Sequence, residues 1–118
     1  MLWKTMNTTI NLHKRALLGN WELRESHTTT AEIRLYDIRS PWEWYIIAMN
    51  PENDNEIYCL IYGLYVQLEQ LNISDLQNIY NIQGDPLLID YDFIPMRVNS
   101  LLKRLEKRHG RKESYPDS

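Results

Sequence analysis

Four residue types are scarce in this 118-residue chain: it has one cysteine, one phenylalanine, three histidines and four glycines. Each scarcity removes a class of explanation. The single cysteine, Cys59, excludes an intramolecular disulfide and any Cys-pair zinc ligand set. His13, His27 and His109 lie in polar contexts with no metal-ligand spacing between them, so no metal is expected. So few glycines leave no phosphate loop and no GxGxxG turn, and no cofactor is implied. No apolar run approaches the ~20 residues of a membrane span. Met1-Leu2-Trp3-Lys4-Thr5 lacks the apolar stretch of a signal peptide. The expected setting is the cytoplasm of a prokaryotic cell or of an infected host cell. The sequons at Asn7 and Asn72 then read as chance matches, and Met6 is an alternative start.

What is present suits one domain with a core built without staples. The most informative stretch is Pro41-Trp42-Glu43-Trp44-Tyr45-Ile46-Ile47. On a strand, Trp42, Trp44 and Ile46 share one face, and Glu43, Tyr45 and Ile47 share the other. Three further strands are predicted, over 31–38, 56–62 and 64–71, by alternation or by a continuous apolar run. The polar segment 50–55 and Gly63 supply tight links, which favour an antiparallel meander. Trp21 and Leu23 alternate with Glu22 and Arg24 as a possible short strand. A short helix is expected over 10–18, ending at Gly19. A second is expected from Asp75 to about Tyr80, with Ser74-Asp75-Leu76-Gln77 as a capping box. Leu87-Leu88-Ile89 reads as a short edge strand. Pro95 then opens a C-terminal helix in which Val98, Leu101, Leu102 and Leu105 recur on one side and Gly110 is the cap. The fold expected is α+β: a four- to five-stranded antiparallel meander with a C-terminal helix packed on one face. Residues 1–9 are expected to be flexible, 10–109 to form the domain, and 110–118 to be a disordered tail.

Charge is segregated along the chain. Thirteen acids and three bases lie between Gly19 and Met96, whereas seven bases face three acids from Arg97 onward. Two binding modes follow. An acidic, tyrosine-bearing surface with Glu32, Tyr36, Glu43, Tyr45, Tyr58, Tyr65 and Glu69 suits a protein partner with a basic surface. Alternatively, Arg97, Lys103, Arg104, Lys107, Arg108, Arg111 and Lys112 suit nucleic acid. The plainer reading of the second set is a solvated helix whose last turn favours the macrodipole. Catalytic readings are weaker. Cys59 sits in an apolar run as a small buried hydrophobe. Asp90 and Asp92 are suited to acid–base work or a cation, but also to fixing the turn before Pro95 through backbone N–H groups. Trp42 and Trp44 lack the basic groove of a base-stacking platform and read as core. The chain is therefore expected not to be an enzyme.

The pattern Trp42-Glu43-Trp44-Tyr45, Gly63, Ser74-Asp75-Leu76 and Asp90-Tyr91-Asp92-Phe93 with Pro95 resembles a domain family of unknown function. That family comprises small single-domain proteins, often encoded on plasmids, integrated elements and phages. The resemblance covers roughly residues 17–105. It departs where the family carries acids or glycine: Ala48, Asn50, Gln67 and Glu69 stand there instead. The resemblance implies an accessory protein of a mobile element. Because some similar proteins inhibit CRISPR nucleases, it also implies inhibition of a nucleic-acid enzyme.

Overall fold

A computed structural model describes the backbone of residues 2–113 and the side chains of residues 5–110. Helix α1 (Leu2–Gly19) leads through a turn to the two-residue strand β1 (Thr30–Ala31). The strands β2 (Ile33–Tyr36), β3 (Glu43–Asn50), β4 (Asn53–Tyr62) and β5 (Val66–Asn72) then follow as an antiparallel meander. The short helix α2 (Ile73–Gln77) leaves its edge, and β6 (Leu88–Ile89) returns to pair with β2. The five-stranded order is β5-β4-β3-β2-β6. A last strand, β7 (Met96–Arg97), pairs with β1 and leads into α3 (Val98–Glu113).

The links explain the topology. Between β3 and β4 the chain turns in two residues, with the Asn50 side chain accepting from the Glu52 N–H (2.9 Å) and Asn53 accepting from the Asn55 N–H (3.1 Å). Asparagine suits such turns because its carbonyl caps the backbone two residues on. At the β4–β5 turn, Gly63 lies directly under the Trp42 indole: a Cβ there would sit 2.3 Å from the ring. Trp42 in turn stacks on Trp44, ring centroids 5.8 Å apart.

The C-terminal helix packs on one face of the sheet, as expected, and the N-terminal helix covers the other. Met6, Ile10 and Leu17 of α1 pack on Ile33, Leu35, Trp44, Ile46, Met49, Ile57, Cys59 and Ile61. Val98, Leu101 and Leu105 of α3 pack on Tyr45, Ile47, Ala48, Tyr58, Leu60 and Tyr62. A register shift at Ile46–Ala48 lets Ile47 and Ala48 both face α3 before Met49 returns to the α1 side. Asn20 satisfies the bulged backbone, its side chain donating to the Ile47 carbonyl at 2.9 Å.

Several expectations need correction. Residues 2–9 belong to α1, and Met6 is fully buried, so this segment is not a flexible lead. The buried stripe of that helix passes through Thr9 and half-buried His13, which hides it from a purely apolar periodicity. Residues 21–24 form hydrogen-bonded turns rather than a strand. Asn72, not Ser74, is the N-cap of α2, which ends at Gln77; the Asp75 carboxylate accepts from the Asn72 N–H. Pro95 precedes β7 rather than the first turn of α3. Helix α3 runs through Gly110 to Glu113, so the proposed cap and the start of the tail are helical; residues 114–118 lie outside the described residues. Among the described residues no helix is long and apolar enough to cross a membrane.

The Gly63 contact generates a direct prediction. Gly63→Ala forces the methyl into the Trp42 ring and lowers unfolding free energy by about 1–3 kcal/mol. Gly110→Ala, with nothing within 4 Å, raises it by up to about 1 kcal/mol through helix propensity. Urea denaturation of the two variants checks both signs.

Candidate functional site: a basic helix face above a buried charge network

The face of the sheet beneath α3 carries a carboxylate. Glu43 opens β3 and is only 6% exposed. Strand register places it opposite Tyr36 of β2 and Tyr62 of β4, and places Arg34 opposite Tyr45. Directly opposed residues share a face, so these side chains converge. Oε1 of Glu43 accepts from Arg34 Nε (3.1 Å) and from the Tyr45 hydroxyl. Oε2 accepts from Arg108 Nη1 of α3 at 2.6 Å. Arg34 reaches further, its Nη1 donating to Asp90 Oδ2 at 3.0 Å. Each guanidinium also lies over a ring, Arg34 over Tyr36 (4.7 Å) and Arg108 over Tyr62 (5.0 Å).

The electrostatics follow from this packing. Burial pushes the Glu43 carboxyl up, but hydrogen bonds from Tyr45 and Arg34 and the charges of Arg34 and Arg108 outweigh it. Glu43 therefore titrates below its ordinary value. Burial, reinforced by the Glu43 carboxylate, pushes the Tyr45 hydroxyl up to about 12. Burial lowers the Arg34 guanidinium, yet its bonds and proximity to Glu43 leave it raised overall. Neither Glu43 nor Tyr45 exchanges a proton near neutral pH. Their chemistry is that of a latch: a carboxylate from the sheet holds a cation from α3.

The predicted acidic–tyrosine surface does not exist as one exposed face. Glu32, Glu43, Tyr45 and Tyr58 are buried, and Tyr36 is half-buried under Arg34. Glu32 accepts from the Thr30 hydroxyl and lies 3.1 Å from His13 Nδ1. Tyr65 and Glu69 are exposed, but Glu69 pairs with Cys59 and so projects on the α1 side, away from Tyr45. Of the set, Tyr36, Glu43, Tyr45 and Tyr58 do share a face, but alternation did not reveal that α3 covers it.

The basic set fares differently. Arg97, Lys103, Arg104 and Lys107 are all exposed. Lys103, Arg104 and Lys107 lie on the side of α3 away from Val98, Leu101 and Leu105, and none of them pairs with a carboxylate among the described residues. Arg108 is committed to Glu43. Arg111 and Lys112 continue the same helix, with side chains outside the described residues.

Other candidates resolve as structure. Cys59 is fully buried, and burial pushes its thiol up. Asp90 accepts from the Asp92 N–H at 3.0 Å while its other oxygen holds Arg34, so it fixes the turn and joins the network. Asp92 is exposed. Trp44 is core, and Trp42 is half-buried against it. Among the described residues no group of three or more His, Cys, Asp or Glu is placed to hold a metal. Sequence reasoning missed Arg34 as a functional partner. The available signal was a lone Arg and a lone Glu at positions whose strand neighbours are core.

Glu43 makes stability pH-dependent in a defined sense. A depressed folded value means its contribution is present above the ordinary ~4.3 of a glutamate and is lost as pH falls through the folded value. Glu43→Gln is expected to cost about 2–4 kcal/mol at neutral pH, since it leaves Arg34 and Arg108 without their shared counter-ion. The gap between the two proteins narrows as pH falls below about 4, which denaturation at a series of pH values reads directly.

No family model matches the chain, and no curated protein or solved structure matches it either.

Proposed function

We propose that this chain is a non-enzymatic binding protein that contacts nucleic acid through the outer face of α3. One observation carries the reading: Lys103, Arg104 and Lys107 stand exposed, and without carboxylate partners among the described residues, on a helix clamped to the sheet through Arg108–Glu43. Free cations on a fixed scaffold suit phosphate contacts, which release counter-ions and carry affinity without base specificity. Glu106 is the one acid among the described side chains of this helix. The satisfied Glu43 network supports a binding role over a catalytic one, because its members saturate each other.

A second reading keeps the acidic surface as the contact, with a basic protein as partner. It moves the contact to the β3–β4 end of the sheet. Glu22 and Glu52 line one cleft of about 550 Å³ with Trp21 and Arg24, exposed Glu25 lies in the neighbouring turn, and exposed Asp54 lies at the start of β4. Under this reading the chain is an accessory protein of a mobile element that inhibits a nucleic-acid enzyme. The family resemblance supports this role.

Fluorescence anisotropy with labelled duplex and single-stranded oligonucleotides over a salt series separates the two. The nucleic-acid reading expects binding that weakens steeply with salt. Replacing Lys103, Arg104 and Lys107 together with Gln should flatten the log–log salt slope by about 2–3 units. An absence of binding at low salt overturns it. Salt-sensitive capture of a purified basic nuclease, lost in Glu22→Gln/Glu52→Gln, would then support the second.

A further inference from the structure

The two edges of the sheet are built differently. The β6 edge is two residues long and is flanked by Pro86 and Asp90. The β5 edge is seven residues long, and no strand pairs with its outer side among the described residues. Edge strands are ordinarily protected by lysine, proline, a bulge or brevity, because their free N–H and C=O groups template another strand. The sequence of β5, Val66-Gln67-Leu68-Glu69-Gln70-Leu71-Asn72, has neither lysine nor proline, and its one charged side chain is Glu69. Its pairing with β4 runs from Val66 to Asn72 without a register shift. Leu64 and Tyr65, just before it, are exposed at 71% and 68%.

We propose that β5 is a self-association surface, pairing antiparallel with β5 of a second copy about a two-fold axis through Leu68. The place of the one charged residue, Glu69, in the strand favours this register. A two-fold contact must be satisfied by one patch meeting itself. With Leu68 facing Leu68, Gln67 of each copy faces Glu69 of the other, an amide against a carboxylate. Tyr65 faces Leu71 on the α1 side, Val66 faces Gln70 on the α3 side, and no two like charges are opposed. Centring the axis on Glu69 instead sets two carboxylates directly opposite, which is unfavourable. The pairing joins two five-stranded sheets edge to edge, and a two-fold normal to the sheet keeps both copies of α3 on the same face. Two adjacent basic helices would then serve the nucleic-acid reading. That consequence rests on the reading; the strand pairing does not.

Sedimentation velocity of the full chain over a concentration series, without nucleic acid, tests the pairing separately from nucleic-acid binding. A monomer–dimer equilibrium is expected. Gln67→Glu places like charges opposite Glu69 twice per dimer and should weaken association about fivefold, at roughly 0.5 kcal/mol per pair. Gln67→Lys should strengthen it by a similar factor. Both substitutions are at an exposed position, and the monomer fold is expected to tolerate them. A wild-type chain that stays monomeric throughout overturns the proposal. So does an equilibrium that the two variants leave unmoved or move in the same direction.

Discussion

A strand buried on both faces needs a cover on each side, and β3 and β4 impose that need on the rest of the chain. Seven consecutive residues of β3, from Glu43 to Met49, are buried, as are six of β4, from Ile57 to Tyr62. No single helix covers two faces. Helix α1 with Leu76 of α2 closes one side, and α3 with Trp21, Phe93 and Met96 closes the other. Smaller features follow from the same constraint. The bulge at Ile47 aims two residues at α3, and Asn20 exists at the end of α1 to satisfy the carbonyl that the bulge exposes. Gly63 is the residue that lets the Trp42 ring lie flat on the hairpin.

Burying the central strand also buries Glu43, and that charge then orders its surroundings. Magnitudes decide what the network contributes. Val98, Leu101 and Leu105 each gain about 1.5–3 kcal/mol from burial. The net worth of a buried ion pair against its desolvation is near zero. Apolar packing therefore attaches α3, and the ion pair sets its rotation and register, since Arg108 must reach Oε2 of Glu43. With that side of the helix spent, Lys103, Arg104 and Lys107 are exposed to solvent. The basic surface is thus a by-product of how the helix is latched, which ties the candidate contact face to the core.

Strand positions were legible because side-chain alternation is local. The four predicted meander strands all appear, with ends shifted by a few residues. The helix expected over 10–18 is the C-terminal half of α1; its full length was not legible because the buried stripe includes Thr9 and His13, polar residues whose partners, Thr5 in the preceding turn and Glu32 beyond the helix, make their burial tolerable. The cap of α2 was misplaced because Asn72 and Ser74 are both competent caps. Tertiary contacts chose: the Asn55 side chain bonds the Ser74 N–H and hydroxyl, leaving Asn72 to begin the helix. Gly110 failed as a stop because an interior glycine costs only about 1 kcal/mol, less than the helix-forming residues around it supply.

By itself the sequence determined the fold class, the strand order of the meander, the two faces of Trp42–Ile47 and the imbalance of charge toward the C-terminus. These depend on period, turn chemistry and composition, all properties of neighbouring residues. Only the tertiary structure decided which face α3 covers. That choice buried Glu43 and Tyr45, brought Arg34 within reach of Asp90 from 56 positions away, and turned the basic residues outward. Side-chain alternation is symmetric between the two faces of a sheet, so nothing in it says which face a later helix will take.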